Sequence, residues 1–377
     1  MIENNDPKVL TIGFSAGSLF DLKSVEDIYE KEGLRAYTNK LKEMGDKGEY
    51  FEPGPALGLY LALRKLKDMV PEDVMKIRFG MISKNSPNYE TEPLFQSMRK
   101  YISDEVCLDG KSKEFDYKSF LDGGSAIDYH KAQGADLVFS TSDNHAKEYY
   151  ENDIAALYLP NISKERNLEM YRKKDSKIVL VSDFDGVIGD VLSELNYQNA
   201  KLIPGLDAVE VFRKNEKSMR DISMDLGPLG NVVRKLGLIV EHFSELRIDG
   251  KIKQEDIPYK TIVVTARGGS AFERFNTTRQ NHGINISQVH LMDGVNKNFV
   301  LDIISRENES SNILFIDDGK VHFDRALNLK NVLSGFVHND YTVGKLKTTG
   351  ILSDDLQKII DTEKNLKEKR NIHKINN

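Results

Sequence analysis

The sequence alternates between short apolar runs and longer stretches with helical periodicity over most of its length. The apolar runs lack the regular apolar–polar alternation of strands with one wet face, which is typical of strands covered on both faces in a parallel sheet. This order of strands and helices predicts a doubly wound α/β fold, with helices on both faces of the sheet. The predicted strands are Val9–Phe14, Ile77–Ile82, Leu137–Phe139, Ile154–Tyr158, Ile178–Val181, Thr261–Val264, Val289–Met292, Ile313–Ile316 and Val332–Phe336. The clearest predicted helices are Leu57–Lys67, Asn231–His242, Ala271–Asn281 and Asn298–Arg306.

A long internal repeat runs through this alternation. The segment Lys8–Asp21 aligns without a gap on Lys177–Asp190, and further pairs of landmarks follow in the same order at nearly constant separation. These pairs are Gly54-Pro55 with Gly227-Pro228, Met81–Ser83 with Val263–Thr265, Leu121–Gly123 with Met292–Gly294, and Leu137–Thr141 with Ile313–Asp317. We therefore predict two related Rossmann-type, parallel-sheet units that arose by internal duplication.

The repeat also predicts the domain organisation. We expect one unit over residues 1–160 and a second over residues 176–345, with the polar stretch Pro160–Asp175 as the boundary. The charged segment 346–377 is expected to be a solvated tail, helical at most. With 377 residues, the chain is long enough for each unit to bury a sizeable core.

Composition excludes several classes of protein. Acidic and basic residues are interspersed and give a net charge of −6, which argues against a nucleic-acid polymer as partner. No apolar run approaches the roughly 20 residues that span a bilayer, and the amino terminus lacks the pattern of a secretory signal. Cys107 is the only cysteine, which excludes an internal disulfide and a thiolate metal cluster. We expect a cytoplasmic protein without a membrane partner.

Two carboxylates follow one of the predicted buried strands. The run Ile178–Val181 leads into Asp183 and Asp185, and acids separated by one residue on an extended segment point the same general way. At the carboxyl end of a parallel strand they would lie in the crevice where open α/β sheets bind ligands. Taken alone, Asp185 and the following Gly186 also fit a simple turn.

Further polar residues follow three later strands. Thr265 ends an apolar run, Lys297 opens a helical stretch, and Asp317 and Asp318 follow a third run as adjacent acids. Taken singly, they also fit a helix cap, a solvated surface lysine and a capped loop. Paired carboxylates after a strand nevertheless suit a hard divalent cation.

In this order, Asp-x-Asp-Gly, Thr, Lys and Asp-Asp resemble the four motifs of the haloacid dehalogenase superfamily. The resemblance implies a magnesium-dependent phosphatase in which Asp183 attacks phosphorus and forms an aspartyl-phosphate. It implies that Asp185 first protonates the leaving alkoxide and then deprotonates the attacking water. The implied ligands of Mg²⁺ are Asp183, the backbone carbonyl of Asp185, and Asp317 or Asp318.

The substrate's own negative charge explains why these residue types are needed. A phosphate monoester repels a nucleophile, so a cation and Lys297 would have to neutralise it. Thr265 and Lys297 would bind the phosphoryl oxygens, and Lys297 would also restrain the charge of Asp183. The predicted substrate contacts are Thr265, Ala266, Arg267 and Lys297.

The first half of the chain lacks these residues. The counterparts of Asp183, Asp185, Lys297 and the acid pair are Phe14, Ala16, Ala126 or a neighbour, and Thr141-Ser142. Only Ser83, which aligns with Thr265, keeps a hydroxyl. We expect residues up to about 160 to be a catalytically inactive copy, kept for architecture or for shaping the substrate site.

Several further segments carry a closer resemblance. They are Ser15–Leu22, Glu52–Ala56, Ile82–Pro87 and Asp122–Gly124 in the first half, and Gly227–Leu229, Val264–Arg267 and Phe315–Asp318 in the second. Together they resemble the cytosolic 5'-nucleotidase type I family over Val9–Val343. The resemblance implies magnesium-dependent hydrolysis of nucleoside 5'-monophosphates, such as AMP or dAMP.

Two departures from that family concern substrate choice. Gly319-Lys320 follows the acid pair where the family usually has glutamine, and Leu192–Arg220 matches the family only loosely. The second segment is the usual place of a specificity cap in the superfamily, so we predict a small cap insertion at about residues 190–255.

Two functions are alternatives to a 5'-nucleotidase. They are a phosphatase of the same superfamily acting on a sugar phosphate or similar phosphomonoester, and a non-catalytic nucleotide-binding protein. Base preference and a homo-oligomeric state stay open.

Overall fold

The computed structural model describes residues 6–87, 91–103 and 114–375, and Cys107 lies outside this part of the chain. The first half contains, in order, β1 (Val9–Ser15), α1 (Ala16–Leu19), α2 (Lys23–Glu32), α3 (Leu34–Asp46), α4 (Leu57–Met69), β2 (Lys76–Ser83), α5 (Glu92–Met98), β3 (Tyr117–Phe120), α6 (Ala126–Ala132), β4 (Leu137–Ser140), α7 (Asp143–Glu151), β5 (Ala155–Tyr158) and α8 (Lys164–Arg172). The second half contains β6 (Ile178–Ser182), α9 (Leu192–Lys201), α10 (Ala208–Ser218), α11 (Gly230–Ile248), β7 (Tyr259–Thr265), α12 (Phe272–Asn281), β8 (Gln288–Leu291), α13 (Lys297–Glu307), β9 (Asn312–Asp317), α14 (Lys320–Ala326), β10 (Val332–Val337) and α15 (Asp354–Ile375).

These strands form one sheet in the order β3-β2-β1-β4-β5-β10-β9-β6-β7-β8. Neighbouring strands run parallel, except that β5 and β10 pair antiparallel at the centre. The α/β prediction is therefore confirmed, with a mostly parallel sheet. No helix in the described part of the chain is long and apolar enough to cross a bilayer.

All nine strands that the sequence predicted are present, and so are the four helices. β3 was missed because it is a four-residue edge strand whose side chains are only partly buried, so it leaves no apolar run in the sequence. The polar stretch that we predicted as a boundary contains α8, whose first turn is capped by the Ser163 side chain. Polarity there reflects a helix with one exposed face.

The two halves of the sheet have matching strand orders. Read from its outer edge, the first half runs β3-β2-β1-β4-β5, and the second runs β8-β7-β6-β9-β10. The strands that the sequence repeat pairs, β1 with β6, β2 with β7 and β4 with β9, thus occupy corresponding places. Because β5 and β10 are antiparallel, the carboxyl ends of the strands lie at opposite edges of the sheet in the two halves.

The halves share one apolar core. Buried side chains of α4 and α11 belong to one apolar cluster, and α4 of the first half contacts β6 and β9 of the second. Conversely, α11 of the second half contacts β1 of the first. The buried Lys235 of α11 donates to the Val9 carbonyl at 2.7 Å and to Asp136 Oδ1 at 2.6 Å. Each half therefore depends on the other for burial of its helices.

The segment between β6 and β7 divides into two parts. α9 and α10 pack on each other, whereas α11 packs against the sheet through buried residues such as Val233 and Leu236. The range predicted as a cap therefore includes one helix of the core. The segment predicted as a solvated tail also begins differently, because Leu352 and Leu356 are buried against α9 and α10.

A buried histidine in the first half predicts an acid-sensitive fold. His130 is fully buried beside the Tyr117 hydroxyl, and burial lowers its pKa from 6.5 to about 3. Between these values the unfolded chain binds a proton that the folded chain does not, so the free energy of unfolding decreases as pH falls from about 6.5. At pH 5 the loss from His130 is about 2 kcal/mol. Urea unfolding at about pH 7.5 and about pH 5.0 measures this decrease in the free energy of unfolding.

The matching variant is His130→Gln, which removes the titrating group. We expect a smaller decrease in its free energy of unfolding between the two pH values than in the wild type. An equal decrease in both proteins would show that other groups cause the acid sensitivity.

Candidate active site

Three strands of the second half end in residues that the sequence singled out. Asp183 follows β6, Thr265 is the last residue of β7, and Asp317 is the last residue of β9. β6 lies between β7 and β9 and is parallel to both, so the three side chains reach the same edge of the sheet. All three are buried.

Lys297 joins them from the helix that follows β8. It is the first residue of α13, whose amino end is capped by the Asn296 side chain. Its Nζ donates to Asp183 Oδ2 and, at 3.0 Å, to Asp317 Oδ2. The lysine therefore links the ends of β6 and β9, and the structure brings the predicted residues together.

Burial and mutual repulsion govern the charges of this cluster. Burial lowers the pKa of Lys297, but the carboxylates of Asp183 and Asp317 outweigh that effect and hold it above its ordinary value. Burial, followed by the neighbouring acids, raises the pKa of Asp183 and of Asp318. Three acids thus face one lysine, and a further positive charge would relieve their repulsion.

The donor set fits a hard divalent cation. Asp183, Asp317 and Asp318 each offer a carboxylate oxygen, and these atoms lie within 4.8 Å of one another. Magnesium and calcium prefer oxygen ligands of this kind. The remaining predicted ligand, Asp185, is expected to contribute its backbone carbonyl, because its carboxylate accepts hydrogen bonds from Arg267.

The Asp185 carboxylate is held by a fully buried arginine. Arg267 Nε donates to Asp185 Oδ2 at 2.8 Å, and Nη2 donates to Oδ1 at 2.6 Å. Its remaining nitrogen, Nη1, donates to Glu216 of α10. Burial lowers the pKa of Arg267, but Asp185 and Glu216 outweigh it and raise the pKa above its ordinary value. Arg267 therefore links the Asp185 carboxylate to Glu216 of α10.

Glu216 is itself the centre of a buried network. Its Oε1 accepts from Arg274 Nη1 at 2.9 Å and from the Ser193 hydroxyl at 2.7 Å. Sequence reasoning missed Glu216, because an acid in a charged helical stretch is usually solvated. Only the packing of α9 and α10 over the site shows that it is buried.

The four predicted substrate contacts differ in accessibility. Ala266 is exposed, whereas Thr265, Arg267 and Lys297 are buried. The Thr265 hydroxyl donates to Asp185 Oδ2 at 3.4 Å, and its oxygen accepts from the backbone N–H of Arg267 at 3.2 Å. A substrate at the surface of the described structure would therefore meet Ala266 directly, whereas the side chains of Thr265, Arg267 and Lys297 are covered.

Asn339 is a second residue that sequence reasoning missed. It lies just beyond β10, and its Nδ2 donates to Asp318 Oδ2 at 2.6 Å and to the Gly186 carbonyl at 3.1 Å. The amide thereby ties the acid pair to the turn after β6. Its place directly after a predicted strand was the available signal, but an asparagine at such a place is usually part of a turn.

Gly186 is expected to tolerate no side chain. Its φ is +70°, and an added Cβ would lie 2.3 Å from Asp318 Oδ2 and 2.6 Å from Asn339 Nδ2. Gly186→Ala would displace Asp318, and displacements of about 1 Å at a catalytic site cost on the order of 100-fold in rate. Gly250→Ala is the matched control, because its φ is also +70° and nothing lies within 4 Å of its added Cβ. Steady-state rates of phosphate release are compared between the two variants. Equal rates would show that a side chain at position 186 does not displace Asp318.

Comparison with protein families identifies the chain. The family model described as 5'-nucleotidase matches residues 2–342. The chain therefore belongs to the 5'-nucleotidase family, and the resemblance predicted from its motifs is confirmed.

The chain is also similar to one curated protein. Human cytosolic 5'-nucleotidase 1B is 23% identical over 330 residues, which are 86% of this chain and 48% of the relative. The chain thus spans about half the length of that protein. No solved structure matches the chain.

Proposed function

We propose that the chain is a magnesium-dependent 5'-nucleotidase, which hydrolyses nucleoside 5'-monophosphates to a nucleoside and phosphate. The observation that carries this proposal is the cluster that the buried Asp183 and Asp317 and the half-buried Asp318 form around Lys297. Membership of the 5'-nucleotidase family supports the reaction, and the name of the human relative supports the nucleotide.

The first chemical step would use Asp183 as the nucleophile. A carboxylate oxygen attacks phosphorus in line, the bond from phosphorus to the 5' oxygen breaks, and an aspartyl-phosphate forms. Phe184 N–H donates to Asp183 Oδ1 at 2.7 Å, and Lys297 donates to Oδ2. These bonds hold the carboxylate at the end of β6. Lys297 would also neutralise part of the phosphoryl charge.

Asp185 would move the protons. It gives a proton to the leaving 5' oxygen and later takes one from the water that attacks the aspartyl-phosphate. Arg267 holds the Asp185 carboxylate by two hydrogen bonds, and it is a positioning residue for this reason. Thr265, with its hydroxyl beside Asp185, would bind a phosphoryl oxygen.

Asp183, the backbone carbonyl of Asp185, Asp317 and Asp318 would hold Mg²⁺. When bound, the cation neutralises phosphoryl oxygens and so lowers the repulsion between the substrate and Asp183. Gly319 N–H donates to Asp317 Oδ1 at 2.8 Å, and Asn339 holds Asp318. Both acids are thus oriented by groups that do not depend on the cation.

Removal of the acid pair tests the metal site. We expect the Asp317→Ala/Asp318→Ala variant to lose most of its activity and to regain part of it in excess magnesium, because Asp183 and the Asp185 carbonyl remain. We also expect Mg²⁺ to raise the melting temperature of the wild type, since a ligand that binds only the folded state stabilises it. A thermal shift of the same size in the double variant would contradict the metal role.

We further infer that the two halves arose by duplication and that α9 and α10 form the small cap. The matching strand orders support the duplication, and the placement of Glu216 beside Arg267 supports the cap. We also propose a cytoplasmic location, which the name of the human relative supports.

The deciding experiment is phosphate release from a panel of nucleoside monophosphates and sugar phosphates, with magnesium or with chelator. Magnesium-dependent release from nucleotides would support the proposal, and the panel would rank the bases. Release from sugar phosphates alone would keep the chemistry and reject the nucleotide. No release from any compound would reject catalysis in favour of nucleotide binding.

A further inference from the structure

A cavity lies at the opposite edge of the sheet from the candidate active site. It measures about 410 Å³ and opens at the carboxyl ends of β1, β2 and β4 in the first half. We call it the N-cavity, and its polar side chains include Ser15, Glu26, Ser83, Lys84, Ser125 and Ser142. Its volume is within the range of about 300–1,000 Å³ that is typical of small-molecule sites.

The position of the N-cavity is one where α/β proteins bind ligands. β1 lies between β2 and β4, and the chain leaves β1 toward β2 but returns on its other side as β4. Ligands of open α/β sheets bind at such a switch point, outside the carboxyl ends of the strands. By strand order, the N-cavity is the counterpart of the candidate active site.

The lining differs from its counterpart in a specific way. Where the second half has Asp183 and Asp185, the N-cavity region has Phe14 and Ala16. Where the second half has Lys297, it has Ala126, and this smaller side chain leaves open space. The acidic set that suits a divalent cation is therefore replaced by hydroxyls and small residues.

Four serine hydroxyls of the N-cavity can donate to a ligand. The oxygens of Ser15, Ser83, Ser125 and Ser142 each accept a hydrogen bond from a backbone N–H, at 3.2 to 3.5 Å. Because the oxygen is the acceptor in each bond, the hydroxyl hydrogen can be donated to a ligand. Several O–H donors on the lining of one cavity suit an anion with several acceptor oxygens.

Lys84 adds a positive charge to this set. Its Nζ lies 2.9 Å from His145 Nε2, which holds the ammonium group at the wall of the cavity. Glu26 and Glu148 lie on the lining as well, and carboxyl groups bind the hydroxyls of a sugar. The lining thus combines donors for a phosphate group with acceptors for a hydroxylated body.

We propose that the N-cavity binds a small phosphate ester, such as a phosphorylated sugar or nucleoside, without a metal ion. The ester's phosphate group is held by Lys84 and the serine hydroxyls. This site is separate from the site of hydrolysis and does not depend on the proposed reaction.

Ligand binding there has a physical route to the active site. α7 lines the N-cavity through His145, and the same helix holds the loop after β10. Asp143 Oδ1 lies 3.0 Å from His338 Nε2, and the Tyr150 hydroxyl donates to Asp340 Oδ1 at 3.0 Å. Between these two anchors, Asn339 holds Asp318 of the metal cluster. We expect a ligand in the N-cavity to stabilise this loop.

Equilibrium binding of ribose 5-phosphate to full-length Asp183→Asn protein in chelator tests the site. The variant and the chelator prevent hydrolysis and weaken phosphate binding at the metal cluster. We expect one bound molecule per chain, and at least about tenfold weaker binding after addition of Lys84→Met. Ala126→Leu, which fills the cavity without changing charge, is expected to weaken binding as well. Lys118→Met is the control, because Lys118 is an exposed lysine of the same half that pairs with Glu114.

The outcomes separate this site from the proposed function. Binding that survives Lys84→Met and Ala126→Leu but is lost in Lys297→Met would overturn the proposal, because the ester would then occupy the active site. No binding of ribose 5-phosphate would overturn it too. Failure of the proposed function would instead appear as an absence of phosphate release by the wild type.

Hydrogen exchange tests the connection to the loop. In the Asp183→Asn protein, ribose 5-phosphate is expected to slow amide exchange of residues 338–343 roughly threefold or more, because the loop opens less often. The Lys84→Met addition is expected to remove this protection. Unchanged exchange in a protein that binds the ester would overturn the route through α7.

Discussion

Asp183→Asn is expected to lower kcat for nucleotide hydrolysis by about 10⁴-fold or more, since loss of a covalent nucleophile has effects of this size. The amide has nearly the shape of the carboxylate but cannot attack phosphorus. Initial rates of phosphate release in saturating magnesium measure the effect. Asp302→Asn is the control, because Asp302 is a half-exposed acid on α13 that pairs with Arg306.

The same substitution is expected to leave the fold intact. Asp183 lies in a cluster where burial and repulsion from Asp317 raise its pKa, so its charged form is unfavourable in the folded state. Asp317 remains as an ion-pair partner of Lys297. A melting temperature equal to or above that of the wild type is therefore expected. A variant that retained wild-type turnover would exclude Asp183 as the nucleophile.

Glu216→Ala is expected to cause the largest loss of stability, about 3–5 kcal/mol in the free energy of unfolding. Glu216 is fully buried and pairs with two arginines, Arg267 and Arg274. Its removal leaves two buried positive charges with fewer partners, and breaking a buried pair from one side is costly for this reason. Urea unfolding measures the change.

The kinetic consequence distinguishes positioning from stability alone. Without Glu216, Arg267 keeps only Asp185 as an acidic partner, so we expect Asp185 to shift and kcat to decrease even where the variant is fully folded. Glu273→Ala is the control, because Glu273 is an exposed glutamate on the adjacent helix α12. A Glu216→Ala protein as stable as this control would contradict the buried network.

The sequence was sufficient to predict the strands, the fold class and the ends of the strands that form the candidate site. A buried parallel strand requires a run of apolar residues, and the residues of the candidate site follow such runs directly. Both patterns can therefore be recognised within a short stretch of sequence. β3 escaped prediction because an edge strand needs little burial. The antiparallel pairing of β5 and β10 escaped it because pairing between distant strands leaves no local pattern.

The residues that support the site were harder to predict than those that form it. Asn339 and Glu216 act through contacts with Asp318 and Arg267, which are distant in the sequence. Arg267 was predicted as a substrate contact, and that role stays a prediction. Its guanidinium is occupied by two carboxylates, so a role in positioning Asp185 is the one that its contacts support.

The stereochemical course at phosphorus tests the central claim most directly. A nucleoside 5'-monophosphate analogue with a chiral phosphorus centre would be hydrolysed by the wild type in isotopically labelled water with magnesium. Attack by Asp183 followed by attack of water inverts phosphorus twice, so the account predicts overall retention of configuration. Overall inversion would mean that water attacks the substrate directly, and it would contradict the aspartyl-phosphate on Asp183.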